Sequence, residues 1–204
     1  MSRPARGHSI AVMAEAPVEH RRWTRAEYDR LVEIEFLGPD DKIELLGGYM
    51  IVREPKAPPR AACISMVYRA LADAFGNDWH IRTVAPLALD DDSEPEPAAC
   101  VVPGDPMDYL DAHPARAALI VEASLVRLAF DREHKGSLYA RAGIADYWIV
   151  NIPERRLEIY RDPMTDAASP FAWRYGRGIS LGPDQTISPL AAPSASISVR
   201  DLVP

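Results

Sequence analysis

Apolar and polar positions are most informatively patterned between Ala117 and Asn151. Ala117 to Val121 is an unbroken apolar run of the kind a strand buried on both faces shows, and strand character resumes over Asp146 to Val150. Between them, Ala129 to Ala142 predicts a helix that places Lys135, Leu138, Tyr139 and Ala142 on one face. The segment reads as a β-α-β unit. Two charges disturb it. Glu122 stands at the end of the apolar run, where a carboxylate is costly to desolvate without a partner. Lys135 lies on the helix face that should meet the sheet.

The rest of the chain supplies the neighbours. Thr24 with Glu27 predicts a capping box and a helix with Tyr28, Leu31, Val32 and Phe36 on its apolar face, stopping before Gly38-Pro39. Lys42 to Val52 predicts a hairpin turning at Gly47-Gly48, with Glu44 on its first strand. Arg60 to Phe75 reads as a helix with Ile64, Val67, Leu71 and Phe75 aligned. Trp79 to Leu89 has strand character bent at Pro86, and a short strand over Ala98 to Val102 follows the acidic turn Asp90 to Pro97. Short strands are expected at Arg156 to Arg161 and Ala172 to Tyr175, and Ile197 to Val203 is expected to close over the sheet. The organisation is a leader over 1–20, a domain over 21–163 and an extension over 164–204 packed on it. The fold class is α/β, a central mixed β-sheet flanked by α-helices.

Length and charge narrow the function. At 204 residues the chain is long enough for one domain with a sizeable core, and 48% hydrophobic with 26% charged residues excludes fibrous and disordered classes. Acidic residues outnumber basic ones, 30 to 23, for a net charge of -7, opposite to a stand-alone nucleic-acid binder. Contact with DNA would need a local basic patch or metal ions. Cys63 and Cys100 sit in apolar contexts without metal-ligand spacing, which predicts free thiols and a reducing, cytoplasmic setting. No apolar run approaches the ~18 residues of a membrane-spanning helix.

An acid and a lysine at one strand end match metal-dependent phosphodiester cleavage, in which carboxylates hold a hard divalent cation and a lysine orients the attacking water. The run Tyr139 to Val150, with Ile43-Glu44-Leu45 before a glycine turn, Ser93 to Pro97 and Val121-Glu122, resembles the Uma-two family of restriction endonucleases. That family belongs to the PD-(D/E)XK nuclease superfamily, with the lysine moved onto the helix after the strand. The resemblance covers roughly Trp23 to Pro163. It implies a restriction-endonuclease-like fold and a DNA endonuclease using Mg²⁺ or Mn²⁺, with DNA as partner. Glu44, Glu122 and Lys135 fall on the family's catalytic positions, and Glu122 on a metal position. A homodimer follows by analogy, since a duplex offers two strands and two-fold pairing is the commonest symmetry.

Two positions depart from the pattern. Pro97 is followed by Ala98 where the family has an aspartate, and Arg60 stands where it often has a histidine. Alanine has no ligand atom, so Glu96, two residues back, is the candidate replacement carboxylate. The chain is then an endonuclease impaired at Ala98 or a catalytically inactive nuclease fold serving as a binding or regulatory module. Plainer readings stand beside these: Lys135 paired with Asp131 on a solvated face, Glu44 facing solvent, Asp90 to Asp92 as a solvated turn, His113 and His134 on the surface, and Tyr147 and Trp148 as packing.

Overall fold

The computed structural model describes residues 20–38, 40–55 and 57–204, so all of the expected leader except His20 lies outside the described residues. Thr24 caps α1 (Arg25–Glu33) with the reciprocal Thr24–Glu27 bonds that the capping box requires. The helix ends earlier than its apolar pattern suggests. Glu35 adopts a left-handed φ of 57°, which turns the chain and leaves Val32 and Phe36 exposed, with Tyr28 the buried residue of the face.

The hairpin forms from β1 (Ile43–Leu46) and β2 (Tyr49–Val52), with Gly47 and Gly48 both at positive φ as a tight turn demands. It stands apart from the main sheet and hangs on the loop before β4: Leu45 and Glu94 exchange backbone hydrogen bonds at 3.4 and 2.7 Å, and Gly48 N–H donates to Asp92 O at 2.7 Å. Helix α2 (Pro58–Phe75) buries Arg60, Cys63, Ile64, Val67, Leu71 and Phe75.

The six-stranded sheet has the order β3-β4-β5-β6-β7-β8, comprising β3 (Trp79–Arg82), β4 (Ala99–Pro103), β5 (Leu119–Ser124), β6 (Asp146–Asn151), β7 (Arg156–Thr165) and β8 (Trp173–Leu181). Only β5 and β6 run parallel, as the β-α-β reading requires; every other neighbouring pair is antiparallel. Between β5 and β6 lie α3 (Leu128–Phe130), a π-helical section (Asp131–Lys135) and α4 (Gly136–Arg141). The fold is a mixed central sheet flanked by helices.

Each face of the sheet has its own core. Ala99, Val101, Val121, Trp148 and Val150 pack under α2, while Cys100, Ile120, Tyr147 and Ile149 pack with Tyr139 of α4. The later strands are longer than expected, and the division at 163/164 falls inside β7, whose ten residues pair with β8. Beyond β9 (Thr186–Ile187) and β10 (Ile197–Ser198), Ile197, Val199, Leu202 and Val203 are buried in the cluster beneath α2. Cys63 and Cys100 are free and buried. Among the described residues no helix is long and apolar enough to cross a membrane.

Candidate active site

Three elements remote in sequence each deliver one charge to the C-terminal half of β5. Alternation along β5 sends Ile120 and Glu122 to the α4 face, and the strand continues to Ser124, so Glu122 lies within it rather than at its end. The hairpin brings Glu44, and the π-helical section brings Lys135. Lys135 Nζ donates to Glu122 Oε1 at 2.9 Å and lies 3.0 Å from Glu44 Oε1. All three are buried, Glu44 and Glu122 at 2% exposure and Lys135 at 6%. Glu44 is therefore not the solvent-facing residue that strand alternation allowed.

Both carboxylates accept further hydrogen bonds. Tyr139 Oη donates to Glu122 Oε1 at 2.8 Å, Ala98 N–H reaches Glu122 Oε2 at 3.4 Å, and Glu96 N–H donates to Glu44 Oε2 at 3.0 Å. Such pairing and hydrogen bonding is what permits buried ions to persist. Burial works against the Lys135 ammonium, but Glu122, Glu44 and Asp131 outweigh it and hold its pKa above the usual lysine value. Burial and the same two glutamates push the Tyr139 phenol well above its ordinary range. Both groups are donors at neutral pH.

A second ring of charges surrounds the first. Arg53 pairs with Glu96. Arg60 Nε lies 3.3 Å from Glu54 Oε2 and donates to Ala123 O at 3.0 Å, while Glu54 Oε1 accepts from Val126 N–H at 2.6 Å. Arg127 donates to Val52 O. Asp131, buried in the same wall, has its carboxyl pushed up to about 7, first by burial and then by Glu122. These groups enclose a cavity of about 20 Å³, room for about one water molecule.

The expected residues thus separate into two groups. Glu44, Glu122 and Lys135 meet directly. Glu96 lines the same cavity, yet its carboxylate is held by Arg53. Ala98 presents its N–H to Glu122, while its methyl belongs to the apolar cluster beneath α2. The ammonium of Lys135 goes to the glutamates rather than to an exposed pair with Asp131. The run Asp90 to Asp92 is not merely solvated: Arg141 Nη2 bonds Asp90 at 2.8 Å and Asp92 at 2.7 Å, tying α4 to that turn. His113 and His134 are exposed, and Tyr147 and Trp148 are core.

Sequence reasoning missed Arg53 and Glu54, read Asp131 only as a surface partner of Lys135, and assigned no contact to Arg60 or Tyr139. The last two left a signal. Arg60 precedes Ile64, Val67 and Leu71 at helical spacing, and Tyr139 follows Lys135 by four. Arg53 and Glu54 follow the hairpin as an ordinary charged exit, and nothing in their spacing points inward.

Residues 25–200 match the model of the Uma2 family, described as "Putative restriction endonuclease". The chain belongs to that family. A Uma2 chain with Glu44, Glu122 and Lys135 in contact therefore carries its acid and lysine together, on a restriction-endonuclease-like fold. A solved structure from Anabaena variabilis, described as "a putative nuclease belonging to DUF820", superposes with a TM-score of 0.64 at 15% identity, over 84% of this chain and 96% of that one. None of the curated proteins compared with the chain matches it.

Proteins of restriction-endonuclease-like type generally use divalent metals, so the donor set can be tested against one. Mg²⁺ requires about six oxygen ligands, several of them waters. Here Lys135 lies between the two carboxylates that meet, Glu96 is occupied by Arg53, Ala98 offers no oxygen ligand from its side chain, and the cavity admits about one water. Among the described residues no group of three His, Cys, Asp or Glu side chains is arranged to hold a metal ion. The residues as arranged do not fit a hydrated divalent cation.

Proposed function

We propose that the chain is a DNA-directed protein of restriction-endonuclease type, working as a homodimer, whose phosphodiester hydrolysis is impaired at Ala98. The observation that carries this reading is the contact of Glu44, Glu122 and Lys135 at β5 beside Ala98. In this reading Glu122 and Lys135 hold the family's acid and lysine positions, and Glu44 and Tyr139 hold them in place. Lys135, kept charged by its neighbours, suits a group that would meet a phosphate oxygen or orient a water. Arg127, at the same wall and bonded to a backbone carbonyl rather than to a carboxylate, offers a local positive charge on an otherwise acidic chain. Two buried thiols suit a cytoplasmic setting.

The occupation of Glu44 and Glu122 by Lys135, and of Glu96 by Arg53, favours the impaired over the active form. The test is DNA binding and plasmid nicking in Mg²⁺ or Mn²⁺ by the wild type, Ala98→Asp and Ala98→Asp/Lys135→Ala. The expected result is salt-dependent DNA binding by the wild type without nicking, and nicking by Ala98→Asp, lost in the double variant, once a carboxylate at position 98 turns from the apolar cluster toward Glu122. Equal nicking by wild type and Ala98→Asp would remove the impairment. A wild type that binds no DNA at low salt would remove the DNA reading altogether.

A further inference from the structure

The misfit between this donor set and a divalent cation has a positive counterpart. Lys135 Nζ stands 2.9 Å from Glu122 and 3.0 Å from Glu44, and so bridges two buried carboxylates that would otherwise repel. Around it opposite charges alternate within the cluster. Glu44, Glu54, Glu96 and Glu122 are each in an ion pair, with Arg53, Arg60 or Lys135, while Arg127 binds the Val52 carbonyl and the Asp131 carboxyl in the same wall is pushed up to about 7.

We infer that the Lys135 ammonium is the resident cation of this centre, making it a metal-independent ion cluster that fastens the β1–β2 hairpin to β5. The topology gives the cluster this work. The hairpin belongs to a separate two-stranded sheet and shares no strand pairing with the six-stranded one. Its bonds to the 92–94 loop tie it to a loop, whereas the Glu44–Lys135–Glu122 bridge ties it to the middle of the sheet and to the helix between β5 and β6. Glu54, one residue beyond Arg53 after β2, adds a second fastening by accepting from Leu125 and Val126 N–H just past β5. Arg60 binds Glu54 and Ala123 O together and closes this side of the cluster.

The inference takes Glu44, Glu122 and Lys135 to be the family's centre, as in the reading above, but it can fail separately from that reading. Purified full-length protein, stripped with chelator, is titrated with Mn²⁺ and followed by the electron paramagnetic resonance of free Mn²⁺. Tm is measured in chelator and in excess Mg²⁺. The expected result is no stoichiometric Mn²⁺ uptake and the same Tm in both conditions. Lys135→Met should lower Tm by about 10 °C, because two buried carboxylates lose their cation, and Mn²⁺ should then raise it again. Stoichiometric Mn²⁺ uptake by the wild type, with a higher Tm in Mg²⁺, would overturn the inference while leaving the DNA reading intact. Failure of the wild type to bind DNA, with no Mn²⁺ uptake, would sink the DNA reading and leave the ion cluster standing. If Lys135→Met cannot be purified folded, the wild-type titration still decides.

Discussion

Asp131 shows at the scale of one residue how costly the surroundings of the centre are. Its carboxyl titrates at about 7 instead of the ordinary 3.8, because burial and the nearby Glu122 disfavour the anion more than Lys135 supports it. The sign of the linkage follows. A folded protein that holds a proton the unfolded chain has given up is favoured at low pH, so this contribution is complete below about pH 4 and is lost as pH rises through about 7. Lys135 does not offset it there, since a lysine with a raised pKa loses its contribution only above the ordinary lysine range. Asp131→Asn, a neutral near-isostere, is therefore expected to be more stable than the wild type at about pH 8, by on the order of 4 kcal/mol and with a higher Tm, the gap closing toward about pH 4. Thermal unfolding of both proteins across that range checks it. A gap that is constant or widens toward acid would mean that Asp131 is ionised and paired in the folded protein.

Among elements, the hairpin and the π-helical section decide whether the charges meet, and they were unequally legible. Gly47-Gly48 between β-prone residues announced the turn, and the observed φ values of 56° and 80° are the reason glycine is needed. The apolar spacing of α2 and the run before Glu122 likewise announced their faces. What did not show in the sequence depends on distant contacts. A π-helical section is set by what the helix packs on rather than by local spacing, so Ala129 to Ala142 reads as plain α-helix. The strands β7 and β8 read short because Pro163 and Gly176 interrupt their patterns, although both positions lie inside the ladder. Ala98 stands where the resemblance expects an aspartate, a departure visible in the sequence, but that Arg53 would take Glu96 needed the fold. The hairpin's role gives a prediction with an internal control. A Cβ at Gly48 would stand 2.6 Å from Arg22 Cβ and 3.2 Å from the Trp23 carbonyl oxygen, whereas at Gly76, also at positive φ, it meets nothing within 4 Å. Gly76→Ala is expected to cost about 1 kcal/mol of backbone strain, and Gly48→Ala clearly more, through the added clash. Comparison of Tm values checks the order; equal losses would show that the hairpin gives way freely and does not hold Glu44 in place.

For the whole molecule, the closing segment is as much a part of the core as any strand. Ile197, Val199, Leu202 and Val203 are buried against α2, and Cys63 Sγ donates to Leu202 O at 3.5 Å. Each fully buried aliphatic side chain contributes roughly 1.5–3 kcal/mol, so the four together approach the roughly 5–15 kcal/mol by which a domain is stable. Their loss would also bare Cys63, Val67 and Leu71 beneath them. A chain truncated after Ala195 is therefore expected to be insoluble or to bind a hydrophobic dye without cooperative unfolding, and the single change Leu202→Ala to cost about 2–5 kcal/mol. Circular dichroism melts of the full chain, the truncation and Leu202→Ala test this. A truncated protein melting cooperatively at the wild-type temperature would show that the strands and α2 bury enough surface alone. The consequence reaches the centre, because Arg60 lies on the same face of α2 as Cys63, Ile64 and Val67. Loosening α2 should release Arg60 from Glu54 and Ala123, so the truncation is expected to disturb the ion cluster from the far side of the sheet.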